Sequence, residues 1–414
     1  MTPAARAAKM PTPAAGSELR TAVNKTPENR PGELSTDASA GALYNASGMA
    51  TRLRASPLFS IGPGEPGPSL RRGALIAVPV GISLVVELGF DAPTKGAIAT
   101  GAMFAGFAGL DAPAGPRAAW QAAAAPAIGA MAALGILTSQ LAPLAVLTMA
   151  LVGAAAGYCF SYSLRLAIYG LVAALTLLVS QGLFLELDDA LPALLWGTVG
   201  GLTQVLWSLV VWVAVDRCRR GEPSGWDTAA VRAAFASNFT LASENLRHAL
   251  RFGASLALGV AVYRAFDMDN HGFWIPLTIL FVMRPDRDET YLRVVLRAAG
   301  TVLGLIVATL VFETLGFSDV VVVIVLTAAT ALALGLLTVQ YALFTAAITV
   351  YVVVLTDALG EPTWEADKLR LIGTAVGLLI TFLAFVAWPD PERGRDLKFR
   401  VLRPPADPPD PAAR

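Results

Sequence analysis

The sequence predicts an all-α integral membrane protein of about twelve transmembrane helices, arranged as two parallel six-helix repeats. Three observations carry this expectation. Of 414 residues, 55% are hydrophobic and only 15% charged, whereas a soluble domain carries roughly a quarter charged residues. The apolar residues gather in blocks close to the roughly 20 residues that cross about 30 Å of hydrocarbon. Identities also recur between the two halves at one fixed offset.

Residues 1–69 are rich in Ala, Pro, Gly, Ser and Thr and hold no apolar run, so they read as a disordered N-terminal segment rather than a secretory signal. The first repeat, 70–216, carries candidate spans at 73–90, 96–110, 119–138, 141–160, 165–184 and 191–215. A polar cytoplasmic linker follows at 217–249, with a surface helix from Trp226 to His248. The second repeat, 250–389, carries spans at 250–266, 273–283, 297–315, 318–337, 340–357 and 369–388. Residues 390–414 form a Pro-rich, charged cytoplasmic tail.

The spans 96–110 and 273–283 are short, and runs of about 10 to 14 apolar residues are often re-entrant. Counting them as spans keeps the Arg-rich linker on the same side as both termini. Arg71, Arg72, Arg117, Arg165, Arg217, Arg219, Arg220, Arg284, Arg287 and Arg293 then lie inside. The opposite loops hold only Lys95, Arg264, Lys368 and Arg370 among several acids. The positive-inside rule therefore puts both termini in the cytoplasm of a bacterial inner membrane.

Phe90-Asp91 recurs as Phe266-Asp267, an offset of 176 (266 − 90). Gly96/Gly272, Arg117/Arg293, Gly197-Thr198/Gly373-Thr374, Gly201-Leu202/Gly377-Leu378 and Trp212/Trp388 keep the same register. Halves with an even number of spans enter the membrane in the same sense, which makes the repeat parallel and suggests a site on its axis. The short second span of each half is the corresponding interrupted segment, opened by Pro93 and Gly96 or by Gly272 and Pro276. These residues either mark a binding site or simply start helices.

Arg293, Arg297 and Thr301 follow at i, i+4 and i+8 and share one helix face. A guanidinium stays charged and pairs bidentately with carboxylates. Arg297, where the apolar run begins, either holds an anionic substrate or snorkels to the headgroups. Arg284 and Arg287 read as headgroup anchors. Asp267, Asp269 and His271 cluster at the outer mouth of the eighth span, as proton-coupling groups or as solvated helix caps. Glu87 and Glu313 fall near helix ends and read as solvated. Trp274, followed by Ile275-Pro276, offers an aromatic wall to a substrate path.

Several classes are excluded. Two cysteines, Cys159 and Cys218, and two histidines make neither a disulfide framework nor a metal site. Zero net charge gives no nucleic-acid footprint. No phosphate-binding glycine loop or zinc-protease motif is present, so an enzyme and a cofactor are not expected. The partners expected are the lipid bilayer, a small organic anion and a further copy of the chain.

The segment from Gly272 through Trp274, Pro276 and Thr278 to Arg284-Pro285-Asp286, followed by Arg293, Arg297, Gly300-Thr301 and Gly304, resembles the fusaric acid resistance (FUSC-like) family. That family includes aromatic carboxylic acid efflux proteins and is similar to plant aluminium-activated malate channels. The resemblance implies export of small organic anions, aromatic carboxylates among them, driven by the proton gradient. It assigns Trp274, Arg293 and Arg297 to the permeation path. The first half departs from the pattern, with Lys95, Gly96 and Ala97 where the Trp motif would stand. The linker and tail are also short against the large cytosolic domains of many two-half members. A passive anion channel and a non-transport scaffold for envelope assembly are the competing readings.

Overall fold

The computed structural model describes residues 66–89, 96–110, 112–183, 185–216, 243–268, 272–316, 318–337, 339–358 and 363–388, with a few positions between 232 and 240. Among these residues every regular element is a helix and none is a strand. In chain order, α1 is Pro66–Gly89, α2 Ala97–Phe107, α3 Ala114–Ser139 and α4 Ala142–Tyr158. Then come α5 Leu164–Gly182, α6 Ala190–Val211, α7 Glu244–Ala265 and α8 Trp274–Val282. The last four are α9 Arg287–Leu315, α10 Asp319–Leu336, α11 Tyr341–Ala358 and α12 Thr363–Ala387. The helix α1 begins within the segment 1–69 expected to be disordered; the rest of that segment, most of the linker and the tail lie outside the described residues.

An all-helical chain is what hydrocarbon requires, because each backbone N–H and C=O must be satisfied within its own segment. Among the described residues eight helices, α1, α3, α4, α5, α6, α9, α10 and α12, are long and apolar enough to cross a membrane. Their outward faces carry exposed Val85, Leu151, Leu206, Leu310 and Ile324. So much apolar surface suits lipid rather than water. Helix starts are set locally. Ser163 caps the Leu166 N–H, Ser318 the Val321 N–H, and the Asp286 carboxylate accepts from both Asp288 and Glu289 at 2.8 and 3.0 Å.

Two helices contain internal prolines, Pro79 in α1 and Pro126 in α3. A proline has no N–H to donate, which orphans the carbonyl four residues earlier. The carbonyl freed by Pro79 is that of Leu75, and it accepts the Trp207 indole N–H at 2.7 Å. The neighbouring Ile76 carbonyl takes the Gln204 amide, also at 2.7 Å. Two side chains of α6 thus satisfy the α1 carbonyls one turn before Pro79.

Small residues let the helices approach closely. In α1 a Cβ at Gly73 would overlap the backbone of Ala331 and Gly335 in α10. Helix α4 meets α7 in the same manner, with a Cβ at Gly253 falling 2.5 Å from the Ala150 carbonyl oxygen. Gly304 of α9 sits against Ala346 and Thr349 of α11, and Gly377 of α12 against Ile275 and Thr278 of α8.

The two short helices occupy the interior. All nine residues of α8 are buried, as are Ala99 and Gly101 to Phe107 of α2. At 1.5 Å per residue they are about 14 and 16 Å long, half the hydrocarbon thickness. Their chain ends would be untenable in lipid and are sheathed in protein instead.

Candidate functional site

Charged side chains buried in this fold are strongly one-sided. Among the described residues the buried charged groups are Arg117, Arg251, Arg284, Arg293, Arg297 and Arg370, against Glu87 alone. A buried charge is costly in a membrane protein and marks structure or function, so each needs an account.

Two of the six arginines, Arg117 and Arg284, serve the carbonyls just beyond the two short helices. The short helices stop inside the protein, leaving carbonyls that need donors. Beyond α8, Arg284 donates through Nη1 to the Met283 carbonyl at 2.9 Å, and Tyr341 Oη donates to the Phe281 carbonyl at 3.0 Å. Beyond α2, Arg72 donates to Leu110 at 3.1 Å, and Arg117 donates to Ala112 through Nε and Nη2 at 3.3 and 2.9 Å. Arg284 was expected at the headgroups; it is buried because the end of α8 is buried. Arg251 lies 4.2 Å from the Phe385 ring centroid and donates to the Trp388 carbonyl. Arg293 is paired with Glu289, Nε to Oε1 2.9 Å, and stacks 4.5 Å over Tyr341.

Arg297, one turn further along α9, shares a side-chain hydrogen bond with Tyr341. Its side chain is 2% exposed, its guanidinium lies 5.4 Å from the Phe281 ring, and its Nε and Nη1 find no hydrogen-bond partner. One turn on, the buried Thr301 Oγ1 is also without a partner, as are Thr278 Oγ1 of α8 and Thr345 Oγ1 of α11. Leaving such donors unmade costs about 1–3 kcal/mol each, more when charged. Guanidinium donors set among the Phe281 and Tyr341 rings, with the Thr301 hydroxyl one helical turn on, suit a small anion with an apolar body.

The sequence-derived residues divide between the two ends of α8. Arg293 and Arg297 share its C-terminal end with Phe281 and Tyr341. Trp274 is at the N-terminal end, 2% exposed, stacked on Phe273 and lying 4.2 Å beneath the Arg370 guanidinium. Seven residues of helix separate Trp274 from Phe281, about 10 Å. Asp267 is exposed with φ 45°, while Asp269 and His271 lie outside the described residues. Pro93 lies outside them too.

Three buried groups escaped the sequence reading. Arg370, counted there as an outer-loop residue, is fully enclosed. His248, placed on a surface helix, is 0% exposed inside α7. Glu87, expected to be solvated, is 5% exposed: its Oε1 and Oε2 accept the Ile98 and Ala99 N–H groups at 2.9 and 3.1 Å. It therefore caps α2 from α1, a role that Gly96 at the N-cap cannot fill. A lone acid inside an apolar run was the available signal. Among the described residues, no group of three or more His, Cys, Asp or Glu could hold a metal.

Eight apolar helices of spanning length around short, enclosed helices define a multi-pass membrane protein. Residues 256–384 match the fusaric acid resistance protein-like family model, so the resemblance read from Gly272 to Gly304 holds over that segment. The chain is 35% identical over 155 residues to the inner membrane protein YccS of Escherichia coli strain K12, which is 37% of this chain and 21% of that protein. It is 34% identical over 151 residues to the uncharacterized protein ORF2 of Neisseria gonorrhoeae, 36% of each chain. It is 31% identical over 151 residues to the uncharacterized protein slr1298 of Synechocystis, 20% of that protein. The matches thus span between a fifth and about a third of these relatives' lengths. No solved structure matches the chain.

Proposed function

We propose that the protein is a bacterial inner-membrane transporter that exports small organic anions, aromatic carboxylates among them, using the proton gradient. The observation that carries this reading is Arg297: an enclosed guanidinium whose Nε and Nη1 have no partner, against the Phe281 face and one turn before the unpartnered Thr301 hydroxyl. An aromatic carboxylate meets both demands. Its anion pairs with the guanidinium, and its ring packs on Phe281. Arg293 and Thr301 extend the contact along α9, and Trp274 lies one length of α8 further along the path. Proton coupling through Asp267, Asp269 and His271 belongs to the same proposal. The match to a family described by resistance to an acid and a relative described as an inner membrane protein support it.

The proposed architecture is twelve spans in two parallel repeats with both termini cytoplasmic. It is supported by the helix boundaries: shifted by 176 residues, Ala114–Ser139 falls on Arg287–Leu315, and Leu164–Gly182 on Tyr341–Ala358. The packing partners correspond as well, since α1 pairs with α10 while α4 pairs with α7.

The test is uptake of labelled 4-hydroxybenzoate into inside-out vesicles, with and without a protonophore, for the wild type, Arg297→Lys and Arg297→Ala. Uptake that collapses with the protonophore, falls at least tenfold in Arg297→Ala and is partly retained in Arg297→Lys is the expected result. Flux indifferent to the gradient makes the protein a passive channel. Absence of flux for any organic acid refutes the transporter reading and leaves a scaffold.

A further inference from the structure

His248 sits in the first turns of α7, just before the apolar run 250–266, with no exposure and neither ring nitrogen hydrogen-bonded. Its surroundings are aromatic and cationic. Phe160, in the 3₁₀ turn Cys159–Ser161 after α4, meets it edge-on at 5.5 Å, and Phe252 stacks on it at 5.6 Å. Two charged groups act on it: Arg251 from its own helix and Arg284 from the turn between α8 and α9. Arg284 also reaches over Phe160, 5.6 Å from the ring. Helix α12 contributes Phe385 and Trp388, which hold Arg251. Glu289 of α9 acts on Arg284 rather than on the imidazole, and Cys159 points toward Gly170 of α5.

We propose that His248, Arg251 and Arg284 form a proton-linked carboxylate site, in which a small monocarboxylate seats against the two guanidinium groups as a proton binds the His248 imidazole. This rests on the transporter reading above and makes His248 a pH-dependent control on anion binding, separate from the step that couples export to the proton gradient. Without an anion, protonation would put a third cation beside two fixed ones, away from solvent. Burial, then Arg251 and Arg284, accordingly push the imidazole down to about 3. A carboxylate arriving between the guanidinium groups reverses the sign of that field. It also supplies an acceptor for an imidazole N–H that now has none. One proton leaves bulk water for a ring nitrogen as one anion enters, and returns when the anion leaves, so the pair adds no net charge to the interior. Linkage is reciprocal: if the anion promotes protonation, protons promote anion binding by the same factor. In the window where His248 titrates only with the anion bound, affinity rises about tenfold per pH unit of acidification.

The chain has two histidines, so ring ¹³C signals of histidine-labelled full-length protein in nanodiscs identify His248 as the signal lost in His248→Gln. The signal removed by His271→Asn gives the same assignment independently. The spectra are taken between pH 5 and 8, with gluconate or with saturating 4-hydroxybenzoate, and vesicle flux is measured on the same preparations. The proposal expects a neutral His248 throughout in gluconate and a titrating one with 4-hydroxybenzoate. It also expects His248→Gln to lose the rise in 4-hydroxybenzoate affinity on acidification while its flux at pH 8 is retained. An imidazole that ignores 4-hydroxybenzoate while flux is intact, or that is already protonated in gluconate, overturns the site and leaves the transporter. Absence of flux in the wild type overturns both.

Discussion

Glu87→Ala is the sharpest test of how the interior short helices are held. The Glu87 carboxylate accepts two buried backbone N–H groups at the start of α2, at 2.9 and 3.1 Å. Hydrogen bonds to a charged acceptor contribute about 1.5–3 kcal/mol each, and a carboxylate at a helix N-terminus adds about 0.5–1 kcal/mol. Alanine leaves both donors orphaned in protein that water does not reach, so the expected loss is roughly 3–6 kcal/mol. At about 2 °C per kcal/mol for a large domain, the purified protein's Tm falls by roughly 6–12 °C. Glu87→Gln keeps one acceptor and loses the charge, and lands in between. Glu313 is exposed in α9 and provides the control, with Glu313→Gln expected to leave Tm unchanged. Thermal unfolding followed by a thiol-reactive dye or by circular dichroism reads the difference. A Glu87→Ala protein melting within about 2 °C of the wild type would refute the capping argument.

Three further outcomes follow from the same geometry. Gly73→Ala places a Cβ into the Ala331 and Gly335 backbone of α10, which has no side chain to move aside, so it should cost about 1–3 kcal/mol or more, read as a lowered Tm. Trp207→Phe removes the donor to the Leu75 carbonyl that Pro79 orphans and should cost about 1–3 kcal/mol; a double variant with Pro79→Ala, which restores an in-helix donor, should recover part of that loss, and additive losses would exclude the pairing. With no anion bound, His248 takes up a proton in the unfolded chain near pH 6.5 but not in the folded one until about 3. The unfolded state then binds more protons, so stability falls as pH drops below about 6.5, by up to about 1.4 kcal/mol per unit, and His248→Gln should flatten that slope.

The apolar blocks, the helical class and the approximate positions of the helices were legible in the sequence because each is a one-dimensional property. An apolar block near the hydrocarbon thickness must become a helix when no water can satisfy its backbone. Arg293, Arg297 and Thr301 were legible as one face for the same reason, since helical periodicity fixes neighbours at i+4. What a charge does at the end of a helix depends on where that end lies, and only tertiary packing decides this. Helices α2 and α8 stop inside the protein, so Glu87 becomes a cap and Arg284 a carbonyl donor, where in lipid both would have reached for water. Arg370 over Trp274 joins α12 to α8, and His248 beside Arg284 joins α7 to a turn 36 residues on (284 − 248). No periodicity within a single helix encodes contacts of that kind.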